Sequence, residues 1–229
     1  MLKIGSRTRT GRRRRRRSAT FMVYVVAKMR TVRDDFGHCL THSYIYNCLY
    51  IYNCFTHWDT DTNRVTEIHL ERNNLRGNFS DSFAKNLPLL RVLNVHLNFV
   101  ENFPSNIGSL IHLNEAKFGR NPICGTIPQE FSSLTQLTKF NCNFCCLTGT
   151  MPDNMFENMS NLEETFWDGN SLTGTLPSSL TRLKSLTKIS FNLNNLRGNL
   201  PNLCELQNLH DCRLGSDQSF EAYVFVVVA

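Results

Sequence analysis

The stretch Leu162–Ser185, LEETFWDGNSLTGTLPSSLTRLKS, constrains the fold most, because its spacing recurs along the chain. Apolar residues stand at its first and sixth positions, followed by Asn170, Leu172, Gly174 and Leu176-Pro177; Leu180 and Leu183 close the unit. The same register starts at Val65, Leu90, Leu113, Leu137, Leu162, Leu186 and Leu209, with spacings of 25, 23, 24, 25, 24 and 23 residues. That makes six full units and the beginning of a seventh. A unit this short cannot bury its own apolar face, but units stacked in phase bury one continuous core.

Each position in the unit has a physical reading. Apolar residues at the first, fourth and sixth positions bracket a short strand whose intervening side chains face out. An Asn at the ninth position (Asn73, Asn98, Asn121, Asn170, Asn194) can bond backbone groups that the turn leaves off any ladder. Cys145 and Asp217 take that position in the other two units. Gly at the thirteenth and an apolar–Pro pair after it turn the chain onto the outer face. Three departures are local: Asn102 stands for the Gly, Ser80 for the first Pro, and Thr165 at an apolar strand position.

Written out, the unit is L-x-x-L-x-L-x-x-N-x-L-x-G-x-I-P-x-x-L-x-x-L. Over residues 64–217 the chain therefore resembles the plant-type leucine-rich-repeat proteins, found as receptor ectodomains and secreted inhibitor proteins. The resemblance implies an α/β solenoid: a right-handed superhelix with a concave parallel β-sheet and short helices on the convex side. It also implies capping segments. Cys204 and Cys212 flank the last unit start where the family often has a disulfide-bonded cap, so a bridge between them is expected. At the other end, Cys54 and Trp58 match only the first half of the family's C-x-W-x-G-V-x-C cap, so residues 34–63 read as a degenerate cap or an unstructured segment.

The formal charge of +6 divides unevenly. Residues 1–33 hold twelve Lys or Arg and no acid, whereas 34–229 hold thirteen against nineteen Asp or Glu. A mildly acidic repeat body argues against a nucleic-acid groove on the solenoid. The basic tail, with Arg12 to Arg17 in a run, reads as disordered, as an import or polyanion patch, or as the leading part of a secretory signal whose apolar run is Phe21–Ala27. That run and Ala222–Ala229 are too short to span a bilayer. Residues 218–229 read as a tail or an edge strand. Cys39/His42 and Cys54/His57 could supply four metal ligands, but no turn glycines or helix pattern frame them, and no metal or cofactor is expected. Cys142 and Cys145 read as small buried residues.

No nucleophile elbow, metalloprotease motif, phosphate loop or forced carboxylate pair occurs, so the chain reads as a non-catalytic recognition module. Its expected ligand is a protein, peptide or glycan on the concave face; fragment of a receptor-kinase ectodomain and intracellular scaffold are the other readings. Seven strands about 4.8 Å apart give a face about 30 Å long. The candidate ligand-binding residues are His69, Asn94, Lys117, Lys139, Asn141, Phe144, Phe166, Asp168, Ser190 and Arg213, with Phe166 as an exposed aromatic anchor. Two sequons, at Asn78 and Asn158, fall outside the concave strands, where glycans are tolerated. A secreted or cell-surface setting is the favoured expectation.

Overall fold

A computed structural model describes residues 55–59, 61 and 64–215. In chain order the strands are β1 (Phe55–Asp59), β2 (Arg64–His69), β3 (Arg76–Gly77), β4 (Val92–Asn94) and β5 (Phe99–Val100). There follow β6 (Glu115–Lys117), β7 (Cys124–Gly125), β8 (Lys139–Asn141), β9 (Cys146–Gly149) and β10 (Glu164–Phe166). The last are β11 (Ser171–Gly174), β12 (Lys188–Ser190), β13 (Asn195–Leu196) and β14 (Asp211–Arg213). Strands β2, β4, β6, β8, β10, β12 and β14 pair in that order, all parallel, as the repeat predicts. Each starts two residues after a repeat start except β2, which starts one residue earlier. The convex side carries one four-residue helix, α1 (Phe83–Asn86), and 3-10 turns at Ile107–Ser109, Gln129–Ser133, Ser178–Arg182 and Leu203–Glu205.

β1 pairs antiparallel with β2, from Phe55 opposite His69 to Asp59 opposite Arg64, and covers the sheet's first edge. The turn between them is supported by Asp59, whose carboxylate accepts the Asp61 N–H at 3.1 Å. β1 thereby takes the edge position that β2 would otherwise hold, and β2 is paired on both sides. Cys39, His42 and Cys54 lie outside the described residues, as do the basic tail and residues 218–229.

Inside the coil, aromatic rings run from the first repeat to the sixth. Phe79, Phe118, Phe103, Phe131 and Phe140 meet edge-on or tilted, and Trp167 stacks on Phe140 at 4.6 Å between centroids. Thr165, the polar intruder at an inward strand position, is fully buried, and its hydroxyl accepts the Trp167 indole N–H at 2.7 Å. The one polar departure in this strand is thus satisfied by the indole two residues on.

The Asn ladder closes the turns. Asn98 Nδ2 donates to Leu70 O and Val95 O at 2.8 and 2.9 Å, while its Oδ1 accepts the Asn73 and Leu75 N–H groups at 3.0 Å each. Asn121, Asn170 and Asn194 repeat this arrangement one coil further on. Asn73 begins the ladder, and its Oδ1 is buried without a partner because no coil among the described residues precedes it. Asn98→Ala should cost about 2–3 kcal/mol in urea unfolding, since several buried backbone groups lose partners together. A loss below about 1 kcal/mol would show that water replaces the amide.

The disulfide expectation needs correction. Cys204 and Cys212 are both free: Cys204 faces solvent from the last 3-10 turn, and Cys212 points inward from β14 against the core. Instead Cys124 bonds Cys146 across β7 and β9, with Cα atoms 4.5 Å apart. The reason is a register offset. In the four-stranded sheet β13-β11-β9-β7 the twelfth position of one repeat pairs with the tenth of the next, as for Thr173 with Asn195, and the separate pair β3-β5 does the same with Arg76 and Phe99. Cys124 and Cys146 occupy those two positions, and the offset cannot be read from the repeat spelling.

Candidate functional site

Parallel pairing sets the concave side chains in ladders. One runs His69, Asn94, Lys117, Asn141, Phe166, Ser190, Arg213; its neighbour runs Glu67, Val92, Glu115, Lys139, Glu164, Lys188, Asp211. The structure thus brings together all ten sequence-predicted residues on or beside one sheet, but not all are open to a ligand. Asn94 and Ser190 are buried, at 6% and 3% exposure, where a solvated surface was expected. Asn94 Nδ2 donates to Glu71 Oε2 at 2.9 Å and its Oδ1 accepts the His96 N–H; the Ser190 hydroxyl donates to Asp168 Oδ1. Asp168 also accepts the Asn192 N–H at 2.9 Å, so it is committed to holding the strand exit. His69 bonds Glu67 and Lys117 pairs with Glu115, while Arg213 grips Asp211 through two nitrogens at 2.9 and 3.0 Å. Phe166 is half-buried between Asn141 and Ser190, rather than exposed as expected.

Lys139 differs from these. Its ladder neighbours Glu115 and Glu164 pair with Lys117 and Lys188, and no ion pair among the described residues involves Lys139.

Beside the sheet the sequence reading missed a ridge. At the eighth position the backbone is left-handed in Arg72, Leu97, Arg120, Phe144, Gly169 and Leu193, with φ between 50° and 64°. Only Gly adopts this conformation without strain. In the first five of these it goes with an N–H donated to the seventh-position carbonyl of the next coil, as in Phe144 to Asp168 O at 2.6 Å. The bend turns these variable side chains outward: Phe144 is 45% and Leu193 55% exposed. Residue type gives no hint of this, apart from Gly169.

Phe144 is also clamped. A Cβ on Gly169 would lie 2.5 Å from Phe144 Cδ1, so the ring lies against bare backbone, and the Arg120 guanidinium sits 4.9 Å from its centroid. Gly119 plays a similar part at the seventh position, where any side chain would overlap Asn141 and Asn143 Oδ1. Next to it His96 is held below its ordinary value of 6.5, first by burial and then by Arg120, with Glu71 opposing. Because the unfolded chain takes up this proton first, the stability that His96 contributes is complete above pH 6.5 and is lost as pH falls below it. Nuclear magnetic resonance titration should place the His96 midpoint under 6.5, and Arg120→Ala should raise it.

Asn78 and Asn158 are both exposed and off the concave sheet. Among the described residues no His, Cys, Asp and Glu cluster could hold a metal ion, and no helix is long and apolar enough to cross a membrane.

No family model matches the chain. Over 104 residues, 44% of its length, it is 32% identical to a leucine-rich repeat receptor-like protein kinase of Arabidopsis thaliana. A solved TDR receptor superposes with a TM-score of 0.63 at 32% identity, covering 66% of this chain and 26% of the receptor. The plant peptide hormone receptor RGFR1, solved in complex with RGF2, gives 0.60 at 32% identity, covering 65% and 24%. The chain folds as a leucine-rich-repeat solenoid similar to these plant receptor proteins. It spans about a tenth of the curated relative and about a quarter of those two solved chains. Within this leucine-rich-repeat solenoid, the expected repeat register and parallel concave sheet are both present.

Proposed function

We propose that the domain is a non-catalytic recognition module that binds a peptide on its concave face, at the strip joining Lys139, Asn141, Phe166 and Phe144. The observation that carries the reading is Phe144: a large exposed ring, already fixed against Gly169 and Arg120, in the same repeat as Lys139, which has no ion pair among the described residues. An immobilised aromatic loses little side-chain freedom on binding, and a ring of polar neighbours excludes water around it. RGFR1, similar in sequence and fold, was solved with the ligand RGF2, which supports a peptide over a glycan. The chain's own ligand would be an extended peptide presenting an apolar side chain to Phe144 and an acceptor to Lys139.

Selection of displayed random peptides on the full chain tests this. Enriched peptides should share an apolar residue flanked by Asp or Glu, and Lys139→Glu should weaken them at least about tenfold. Enrichment of basic peptides, or binding indifferent to Lys139→Glu, would place the site elsewhere.

A further inference from the structure

The fourth repeat carries Cys142-Asn143-Phe144-Cys145, a Cys-x-x-Cys element at the only described place where the Asn ladder is interrupted. Cys142 takes the inward sixth position and is fully buried; Cys145 takes the Asn position and is half-buried. Their sulfurs lie 3.1 Å apart. The Cys145 thiol reaches Phe118 O and Asn143 O only at 3.7 and 3.8 Å, where neighbouring coils have amide bonds near 2.9 Å. The cysteine is thus a poor ladder member but a well-placed thiol.

We propose that Cys142 and Cys145 form a redox-active dithiol that closes to a disulfide by exchange with a small-molecule disulfide, and so sets the conformation of the turn bearing Phe144. A disulfide needs sulfurs about 2.05 Å apart, so closure requires a shift of about 1 Å. The roles of the two sulfurs differ. The hydrogen bond donated by Cys142 holds the Cys145 thiol below its ordinary range, and the backbone of Asn121 and Arg120 adds to this. Burial pushes Cys142 up, as does that same bond. Cys145, the more accessible and more acidic thiol, attacks first.

The exchange balances. Cys145 loses its proton to solvent, and its thiolate attacks one sulfur of the small disulfide, breaking that S–S bond and expelling one thiolate. Cys142 then loses its proton and attacks the Cys145 sulfur, expelling the second. Two protein thiols are oxidised, one small disulfide is reduced to two thiols, and both protons end on those products. The closed ring holds Asn143 and Phe144 between its ends. Its formation removes the weak S–H bonds of Cys145 to Phe118 and Asn143, so oxidation acts directly on the surface where Phe144 projects. This chemistry stands whether or not a peptide binds there.

The test equilibrates the full chain in glutathione buffers from fully reduced to fully oxidised, alkylates remaining thiols and maps them by mass spectrometry. Cys142 and Cys145 should lose alkylation together with one midpoint, distinct from that of Cys124–Cys146. In Cys142→Ser, Cys145 should hold a persistent glutathione adduct, because nothing resolves it. Cys145→Asn, which restores the ladder amide, should abolish the transition and raise the melting temperature, confirming that the variant is folded. Alkylation of both thiols at every ratio would overturn the proposal. So would a stable glutathione adduct on Cys145 in the unmodified chain, or Cys142→Ser behaving as the unmodified chain does.

Discussion

Trp167→Ala should lower folding stability by about 4–6 kcal/mol, a large share of what a domain this size has. Trp167 heads the fully buried side chains by volume, and it stacks between Phe140 and Phe191 with ring centroids 4.6 and 6.4 Å away. Truncating a buried Trp or Phe costs about 3–5 kcal/mol, through lost transfer energy and the cavity left behind. A second cost adds to it: the Thr165 hydroxyl, fully buried, loses the indole N–H as its donor, and an unpaired buried group costs about 1–3 kcal/mol. The two costs can be separated. Thr165→Val with Trp167→Phe removes both polar partners and keeps most of the volume, so the double variant should be more stable than the two single losses added together predict. Urea unfolding monitored by circular dichroism measures all four proteins. Additive losses would mean that the indole–hydroxyl bond contributes nothing, and a Trp167→Ala loss under about 2 kcal/mol would take the ring out of the core.

The same pair shows what the sequence could tell. The strand register was legible because apolar residues recur at the same positions of every unit, and the unit starts Val65, Leu90, Leu113, Leu137, Leu162, Leu186 and Leu209 are all buried as that recurrence requires. The Asn ladder was legible for the same reason. Thr165 was visible as a departure, but its remedy lay two residues away and needed a geometry that the pattern does not encode. Side-chain commitments were less legible still. Asn94, Ser190 and Asp168 share ladders with open residues, and only their bonds show that their polar atoms are taken up within the sheet: Asn94 to Glu71 and His96, Ser190 to Asp168, and Asp168 to Asn192. The Cys124–Cys146 bridge depends on a two-residue offset between neighbouring coils of the second sheet. The left-handed ridge goes with hydrogen bonds from the eighth-position N–H groups of Arg72, Leu97, Arg120, Phe144 and Gly169 to the next coil. Both arise between repeats, so no single repeat's spelling contains them.

Phe144→Ala should weaken binding of a selected peptide by about 2 kcal/mol or more, roughly thirtyfold in Kd, while leaving the fold intact. Desolvating a large ring that is already fixed yields more than exchanging hydrated charges, and 45% of this residue's surface is still open to be covered. Phe166→Ala should weaken the same peptide by a smaller amount, because most of that residue is already out of water between β8 and β12. Arg120→Ala should act through Phe144: losing the cation 4.9 Å from the ring centroid frees the ring without removing it, so affinity should fall by about 0.5–1 kcal/mol. Arg182 serves as the convex control. It is exposed on a 3-10 turn with a 3.8 Å ion pair to Glu157, and Arg182→Ala should change affinity by less than about 0.5 kcal/mol. Titration calorimetry of the four variants against one peptide, with melting curves beside it, makes the comparison. Equal affinity for Phe144→Ala and the unmodified chain, or a larger loss from Arg182→Ala, would move the binding surface off the concave side.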